Sequence, residues 1–240
     1  VNNLMKQFIS NRPKNEIRWW RPADNEKSFK RNLKKISNDW IYRNKEITYS
    51  YNEQGFREKS FDEINWKESV VVFGCSTVEG VGLALEDTLV KQLEKIIERP
   101  VVNLGIGGSG VDLACWNSSI LHESYPTPKA IVQVWSSLYR YADYEDEQLL
   151  THTPEDAGRS YIRLNWEFRS KKYIETDRML WKDKIAYVAG TYFDMSKDNL
   201  SQLNIKQFLW MDRARDLVHP GIKSNLVAAE YCAEQLKLLI

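Results

Sequence analysis

The sequence lacks long hydrophobic runs, paired cysteines and net charge. No stretch approaches the roughly 20 apolar residues that a membrane-spanning helix needs, and the N-terminus lacks the apolar core of a secretory signal. The cysteines, Cys75, Cys115 and Cys232, are odd in number and show no C-x-x-C spacing, so we expect neither a disulfide framework nor a metal site. A formal charge of +1 gives no field that would attract nucleic acid or a membrane.

Two features of the composition stand out. Nine Trp and twelve Tyr are a large aromatic load for 240 residues, to be placed in a core or on a binding surface. Residues 1–60 contain 14 Lys and Arg against 7 Asp and Glu, a charge of about +7, so the remainder of the chain carries about −6. We therefore predict a basic, aromatic N-terminal extension over residues 1–66, with a hairpin near 47–57, that docks on an acidic body or on an anionic partner.

The body, residues 67–240, alternates apolar runs with helical patterns. The runs at 70–73, 101–104, 130–135 and 185–189 are typical of parallel strands buried on both faces. Helical spacing over 89–97, 111–122 and 222–240 fills the intervals between or after them. Residues 139–184 show no clear period and are predicted to be an insertion with some helix. Strands alternating with helices predict the α/β class.

Polar and glycine residues follow the predicted strands, where ligands gather in an open α/β sheet. Ser76 follows the first strand, a glycine loop at 105–110 the second, and Ser136 and Ser137 the third. Asp216 and His219 precede the last helix, and a spacing of three allows them to meet within one turn. A serine, a histidine base, a carboxylate that orients it and free backbone N–H groups are the parts needed for acyl transfer.

Four sequence blocks resemble those of the SGNH, or GDSL-like, hydrolases. GCST at 74–77 resembles the Gly-Asp-Ser block, NLGIGG at 103–108 the second block, and DLVHP at 216–220 the Asp-x-x-His-Pro block. NEQGFR at 52–57 is similar to the Asn-x-x-Gly-Phe-Arg segment found ahead of the nucleophile in many members. Phage-encoded members look most similar around 73–88 and 213–221.

The resemblance implies a three-layer α/β/α sandwich with a flavodoxin-like parallel sheet, and no cofactor or metal. It implies that Ser76 is the nucleophile, His219 the base and Asp216 the residue that orients His219. The N–H groups of Ser76 and Gly108 would bind the oxyanion. The implied reaction is hydrolysis of small acyl esters, most simply acetyl esters on a carbohydrate, by a protein of the cytoplasm or of a phage virion.

Two of the blocks depart from the family pattern. Cys75 stands where the family has Asp, a residue that supports the loop without reacting. The third block should read Gly-x-Asn-Asp, but residues 135–138 read WSSL, so the hydroxyl of Ser136 or Ser137 is the candidate third oxyanion donor. Candidates for substrate contact are Trp135, Tyr139 and Arg140.

Several alternatives remain open from the sequence. The pattern G-x-G-x-x-G at 105–110 matches a dinucleotide fingerprint, although the next predicted strand ends without the acidic residue that the fingerprint requires. Cys75 could serve as a thiol nucleophile with His219. The chain could also bind glycan without cleaving it, as a virion structural protein, or transfer an acyl group to a sugar hydroxyl. His122 and His152 have no suitably spaced partner and are assigned no role.

Overall fold

The computed structural model describes residues 7–145, 148–152 and 160–239. The N-terminal extension contains β1 (Glu16–Arg18), α1 (Glu26–Leu33) and β2 (Tyr49–Tyr51). Asn25 caps α1 by accepting a hydrogen bond from the Ser28 N–H.

The predicted strand near 47–51 forms β2, but the hairpin predicted near 47–57 does not form. Strand β2 pairs antiparallel with β1, which precedes it by some 30 residues, and residues 52–57, which follow β2, contain no strand. The Asn52 side chain accepts the N–H groups of Gln54 and Phe56 and closes that turn. The chain then directs Arg57 into the body, where four backbone carbonyls hold its guanidinium.

The body follows in alternating order. Its elements are β3 (Val70–Gly74), α2 (Ser76–Glu79), α3 (Leu89–Ile97), β4 (Val101–Gly105), α4 (Val111–Ser124), β5 (Ala130–Trp135), β6 (Tyr141–Glu145), β7 (Gln148–His152), α5 (Ser160–Trp181), β8 (Ala186–Thr191), α6 (Lys197–Gln202), β9 (Lys206–Gln207) and α7 (Ile222–Leu239). All four strands predicted for the body are confirmed: β5 has the predicted ends, and the ends of the other three differ by at most two residues.

A five-stranded parallel sheet in the order β4-β3-β5-β8-β9 forms the centre of the body. Every residue of β3, β4 and β5 is buried, because helices cover both faces of the sheet. Alternate residues of β3 supply the two cores: Val70 and Val72 pack with α3 and α7, whereas Val71 and Phe73 pack with α4 and α5. The predicted α/β class is confirmed.

The segment predicted to be an insertion contains a layer of the fold. β6 and β7 form an antiparallel hairpin, and α5 is the crossover helix that carries the chain from β5 to β8 while packing on α4. Its inward face is formed by Ser170, Ile174, Asp177 and Trp181, all buried and at helical spacing. The sequence predicted some helix in this segment but not its bounds, because two of these four inward positions are polar. No helix in the described part of the chain is long and apolar enough to cross a membrane.

Candidate active site

The loop after β3 holds Ser76 at the carboxyl edge of the sheet. The strand ends at Gly74, where an added Cβ would lie 2.5 Å from the Val78 side chain and 2.8 Å from the Val134 carbonyl oxygen. Only glycine fits there, and the chain turns directly into α2, whose first residue is Ser76. Ser76 is 8% exposed, so most of the nucleophile loop is shielded from solvent.

Ser76, His219 and Asp216 form a continuous hydrogen-bonded chain. Ser76 Oγ lies 2.8 Å from His219 Nε2, and His219 Nδ1 lies 2.5 Å from Asp216 Oδ2. The other oxygen of Asp216 accepts the N–H groups of Val218 at 2.9 Å and His219 at 3.0 Å. Leu217 adopts a positive φ of 63°, which closes the turn between acid and histidine. The three side chains that the sequence analysis singled out therefore meet, although 143 residues separate Ser76 from His219.

The environment of Asp216 keeps its carboxylate ionised. Burial alone would raise the pKa of Asp216, but the hydrogen bond and charge of His219 and the backbone N–H groups of His219 and Val218 outweigh it. The pKa of Asp216 therefore lies below its usual value. An ionised carboxylate on Nδ1 leaves Nε2 free to accept a proton from Ser76.

The glycine loop after β4 lies beside Ser76. A Cβ added to Gly107 would be 3.4 Å from Ser76 Cβ, and Gly108 has a positive φ of 86°. Among the described residues, neither the Ser76 N–H nor the Gly108 N–H donates to a protein acceptor. Asn103 ties this loop to the nucleophile loop, since its amide donates to the Val78 carbonyl and its oxygen accepts the Gly105 N–H. Two unoccupied donors thus lie near the nucleophile.

The two serines after β5 differ in their surroundings. Ser136 is buried, and its hydroxyl has no hydrogen-bond partner within the described residues. Ser137 is half-buried, and its Oγ accepts the Tyr139 N–H at 3.3 Å. Ser136 therefore has an uncommitted donor proton in a water-poor position.

Of the three residues predicted to contact substrate, Trp135 is excluded by burial. Its ring is 1% exposed inside the core between the sheet and α4 and α5, so it has no surface to offer. Tyr139 and Arg140 are half-buried. The Tyr139 hydroxyl donates to Glu167, and the Arg140 guanidinium lies 5.3 Å from the centroid of the Phe193 ring.

Glu79 was missed by the sequence analysis. Its carboxylate is fully buried and accepts four hydrogen bonds, from Arg12, Arg21, Tyr51 and the backbone N–H of Gly107. Burial raises the pKa of Glu79, but the two guanidinium groups outweigh it and the pKa lies below its usual value. A lone Glu at the end of a short helix gave no signal, because its partners lie 28 to 67 residues away.

The other candidate groups are occupied elsewhere. Cys75 is fully buried, and His219 Nε2 pairs with Ser76. Arg12 and Glu79 lie directly against Gly107, the second glycine of the G-x-G-x-x-G pattern. His122 pairs with Lys184. The described residues contain no cluster of His, Cys, Asp and Glu that could hold a metal ion.

The chain was compared with known proteins. No protein-family model and no curated protein matches it. Solved structures with a similar fold include an acetyl xylan esterase from the rumen bacterium Butyrivibrio proteoclasticus, with 13% identity, a TM-score of 0.46, and coverage of 73% of this chain and 65% of that one. A member of the lipolytic G-D-S-L family from Veillonella parvula has 16% identity and a TM-score of 0.45, and the match covers 69% of this chain and 96% of that one. A carbohydrate esterase family 2 enzyme with a carbohydrate-binding domain, from Corynascus thermopiles, has 13% identity, a TM-score of 0.47, and coverage of 72% and 66%.

The chain spans less than two thirds of the length of the first and third of these proteins. With TM-scores below 0.5, the likenesses carry no weight for activity or substrate.

Proposed function

We propose that the chain is a serine ester hydrolase of the SGNH type. The observation that supports this is the hydrogen-bonded chain from Ser76 Oγ through His219 to Asp216, with distances of 2.8 and 2.5 Å. A nucleophile within hydrogen-bond reach of a base, which a carboxylate in turn orients, is the geometry of nucleophilic acyl transfer.

The reaction proceeds in two halves. Ser76 Oγ attacks the ester carbonyl and passes its proton to His219 Nε2, which returns it to the leaving alcohol as the C–O bond breaks. Water then loses a proton to the same nitrogen and attacks the acyl-enzyme, releasing the carboxylic acid and restoring Ser76. Asp216 holds the imidazole and stabilises its cation in both halves.

The negative charge that develops on the carbonyl oxygen needs donors. The N–H groups of Ser76 and Gly108, unoccupied by any described protein acceptor, are assigned this role. The Ser136 hydroxyl is the favoured third donor, because it has no hydrogen-bond partner among the described residues. It replaces the Asn of the family pattern.

The proposed substrate is a small acyl ester, such as acetyl, on a carbohydrate. The low exposure of Ser76, 8%, favours a small acyl group. Two exposed rings belong to segments joined to the Asp216–His219 turn: Trp19, whose carbonyl accepts from Arg215, and Trp210, which lies under the guanidinium of Arg213. Exposed Trp rings combine an apolar face with a polar edge, which suits a sugar.

Acetate release tests the proposal. Wild-type protein, Ser76→Ala and His219→Ala are assayed on p-nitrophenyl acetate and on an acetylated xylo-oligosaccharide, with Ser201→Ala, an exposed serine of α6, as the matched control. We expect turnover by the wild type and the control and a fall of about 10³-fold or more in the two site variants. Equal turnover in all four proteins would refute the proposal.

Product analysis separates the proposed hydrolase from its alternatives. Oligosaccharide binding without acetate release would favour the non-catalytic glycan-binding protein. Acetyl groups recovered on an added sugar acceptor in place of free acetate would favour the O-acyltransferase. The likeness to phage-encoded members stays a prediction from the sequence blocks.

A further inference from the structure

The loop that carries the proposed oxyanion donor is held by the N-terminal extension. Arg12 donates through Nη2 to the carbonyl oxygen of Gly107 and through Nε, at 3.1 Å, to Glu79 Oε2. The same Glu79 oxygen accepts the N–H of Gly107 at 2.5 Å. Both polar groups of Gly107 are therefore fixed by one ion pair, between a residue of the extension and a residue of α2.

This contact sets the direction of the neighbouring N–H. The carbonyl of Gly107 and the N–H of Gly108 belong to one planar trans peptide unit, so they point in opposite directions. When Arg12 holds the carbonyl on one side, the Gly108 N–H must point to the other. Gly108 itself has a positive φ of 86° and lies in a turn that the Ser109 N–H closes on the Ile106 carbonyl. Glycine tolerates either orientation of the central peptide of such a turn at little cost, so a contact to the Gly107 carbonyl can select between them.

The extension is clamped just ahead of Arg12. Phe8 is buried in an aromatic cluster, with its ring 5.8 Å from Phe56. The backbone of Ile9 exchanges two hydrogen bonds with the Asn117 side chain of α4, at 2.8 and 2.9 Å. Ser10 donates to the Gly55 carbonyl. The Arg12 side chain is itself only 12% exposed. Its backbone is therefore held by these contacts, and its guanidinium is held by Glu79 and the Gly107 carbonyl.

Glu79 has little freedom to move away from this contact. Its second oxygen accepts from Arg21 Nε at 2.9 Å and from the Tyr51 hydroxyl at 2.6 Å. A side chain on Gly107 would lie 2.5 Å from Arg12 Nη2 and 2.6 Å from Glu79 Oε2, so the ion pair closes directly over the glycine.

We propose that Arg12 is a positioning residue of the active site: by holding the Gly107 carbonyl against Glu79, it orients the Gly108 N–H for the oxyanion. The inference rests on the proposed esterase function. Arg12 lies 95 residues before Gly107 in the sequence, so the basic extension would take part in building the active site.

The test compares Arg12→Lys and Arg12→Ala with Arg18→Ala, which removes an exposed arginine of the same extension. Lysine keeps the charge opposite Glu79 but lacks the fork that reaches two acceptors at once. We expect both Arg12 variants to lose about 10- to 10²-fold in kcat, below the roughly 10²–10³ that loss of a whole oxyanion donor costs, with little change in KM or Tm for the lysine variant. Arg18→Ala should match the wild type.

A second measurement separates orientation from stability. Methylboronic acid forms a tetrahedral adduct on serine that mimics the oxyanion intermediate, so its inhibition constant should rise in proportion to the fall in kcat/KM. Added guanidinium ion should restore part of the activity of Arg12→Ala and none of that of Ser76→Ala. An unchanged kcat in both Arg12 variants, or a loss of kcat that follows Tm with an unchanged boronate constant, would overturn the inference while leaving the esterase in place. Absence of Ser76-dependent turnover in the wild type would overturn both.

Discussion

Arg215 and Asp24 form a buried, bidentate ion pair immediately beside the proposed catalytic acid. Arg215 Nε lies 3.0 Å from Asp24 Oδ1 and Nη2 lies 2.6 Å from Oδ2, and both side chains are at most 5% exposed. The Tyr49 hydroxyl donates to Asp24 and accepts the Gly82 N–H, while the Gly82 carbonyl accepts the Arg215 N–H. The extension thus supports the segment that carries Asp216 as well as the glycine loop.

Removal of this ion pair should lower the stability of the fold. Asp24→Ala leaves the Arg215 guanidinium buried without its counter-ion, so we expect the free energy of unfolding to fall by about 3–5 kcal/mol. Urea denaturation measures this change. Glu16→Ala, which removes the partner of the exposed Arg18, is the matched control and should unfold close to the wild type. Equal stability of the two variants would show that Asp24 contributes no more than a surface charge.

Replacement of the orienting carboxylate should abolish most activity without loss of fold. In Asp216→Asn the amide N–H faces His219 Nδ1 and forces the imidazole proton onto Nε2, which then cannot accept the proton of Ser76. We expect kcat to fall by about 10³–10⁴-fold. Steady-state kinetics measure the fall and thermal melting checks the fold. A variant that retained more than a tenth of wild-type kcat would contradict the assigned role.

The two serines after β5 should differ in their effect on turnover. Ser136→Ala removes the buried hydroxyl that has no described partner, and we expect kcat to fall by up to about 10²-fold with little change in KM. Ser137→Ala is the comparison variant, because it removes the neighbouring hydroxyl, whose Oγ accepts the Tyr139 N–H. The reverse order of effects would assign the third oxyanion donor to Ser137.

Asp177 should make stability depend on pH. Burial raises the pKa of Asp177 to about 6, against partial opposition from the hydrogen bonds that Tyr187 and Gln133 donate to its Oδ2. The folded state holds the Asp177 proton more tightly than the unfolded chain does, so protonation of Asp177 adds to the free energy of unfolding. This contribution is complete below about pH 4 and is lost as pH rises through about 6.

Asp177→Asn should remove this dependence. Both Asp177 Oδ1 and Gln133 Oε1 lack a partner among the described residues, and the amide of an asparagine could donate to the glutamine oxygen. We expect the variant to gain about 1–3 kcal/mol over the wild type at pH 7 and to lose that advantage near pH 4. Urea denaturation at both values measures it, and a constant difference between them would contradict the prediction. The control is Asp198→Asn, which replaces an exposed carboxyl of α6.

The strands and the proposed catalytic side chains were accessible to sequence analysis for different reasons. Runs such as 70–73 and 130–135 show their burial directly, because a strand covered on both faces is apolar at every position. Asp216 and His219 could be paired because a spacing of three brings them together within one turn. The bounds of α5 could not be predicted because its inward face contains Ser170 and Asp177, polar residues whose partners, the Leu138 carbonyl and Gln133, lie outside the helix.

By itself, the sequence determined the α/β class, the central strands and the identity of the Ser76, His219 and Asp216 candidates, since each depends on a local pattern or a short block. Only the tertiary structure decided that Ser76 meets His219, that Trp135 is buried, and that Arg12 closes over Gly107 through Glu79. These are contacts between polar groups or rings far apart in the chain. Their energy comes from burial and hydrogen-bond geometry that exist only once the sheet has brought the loops together.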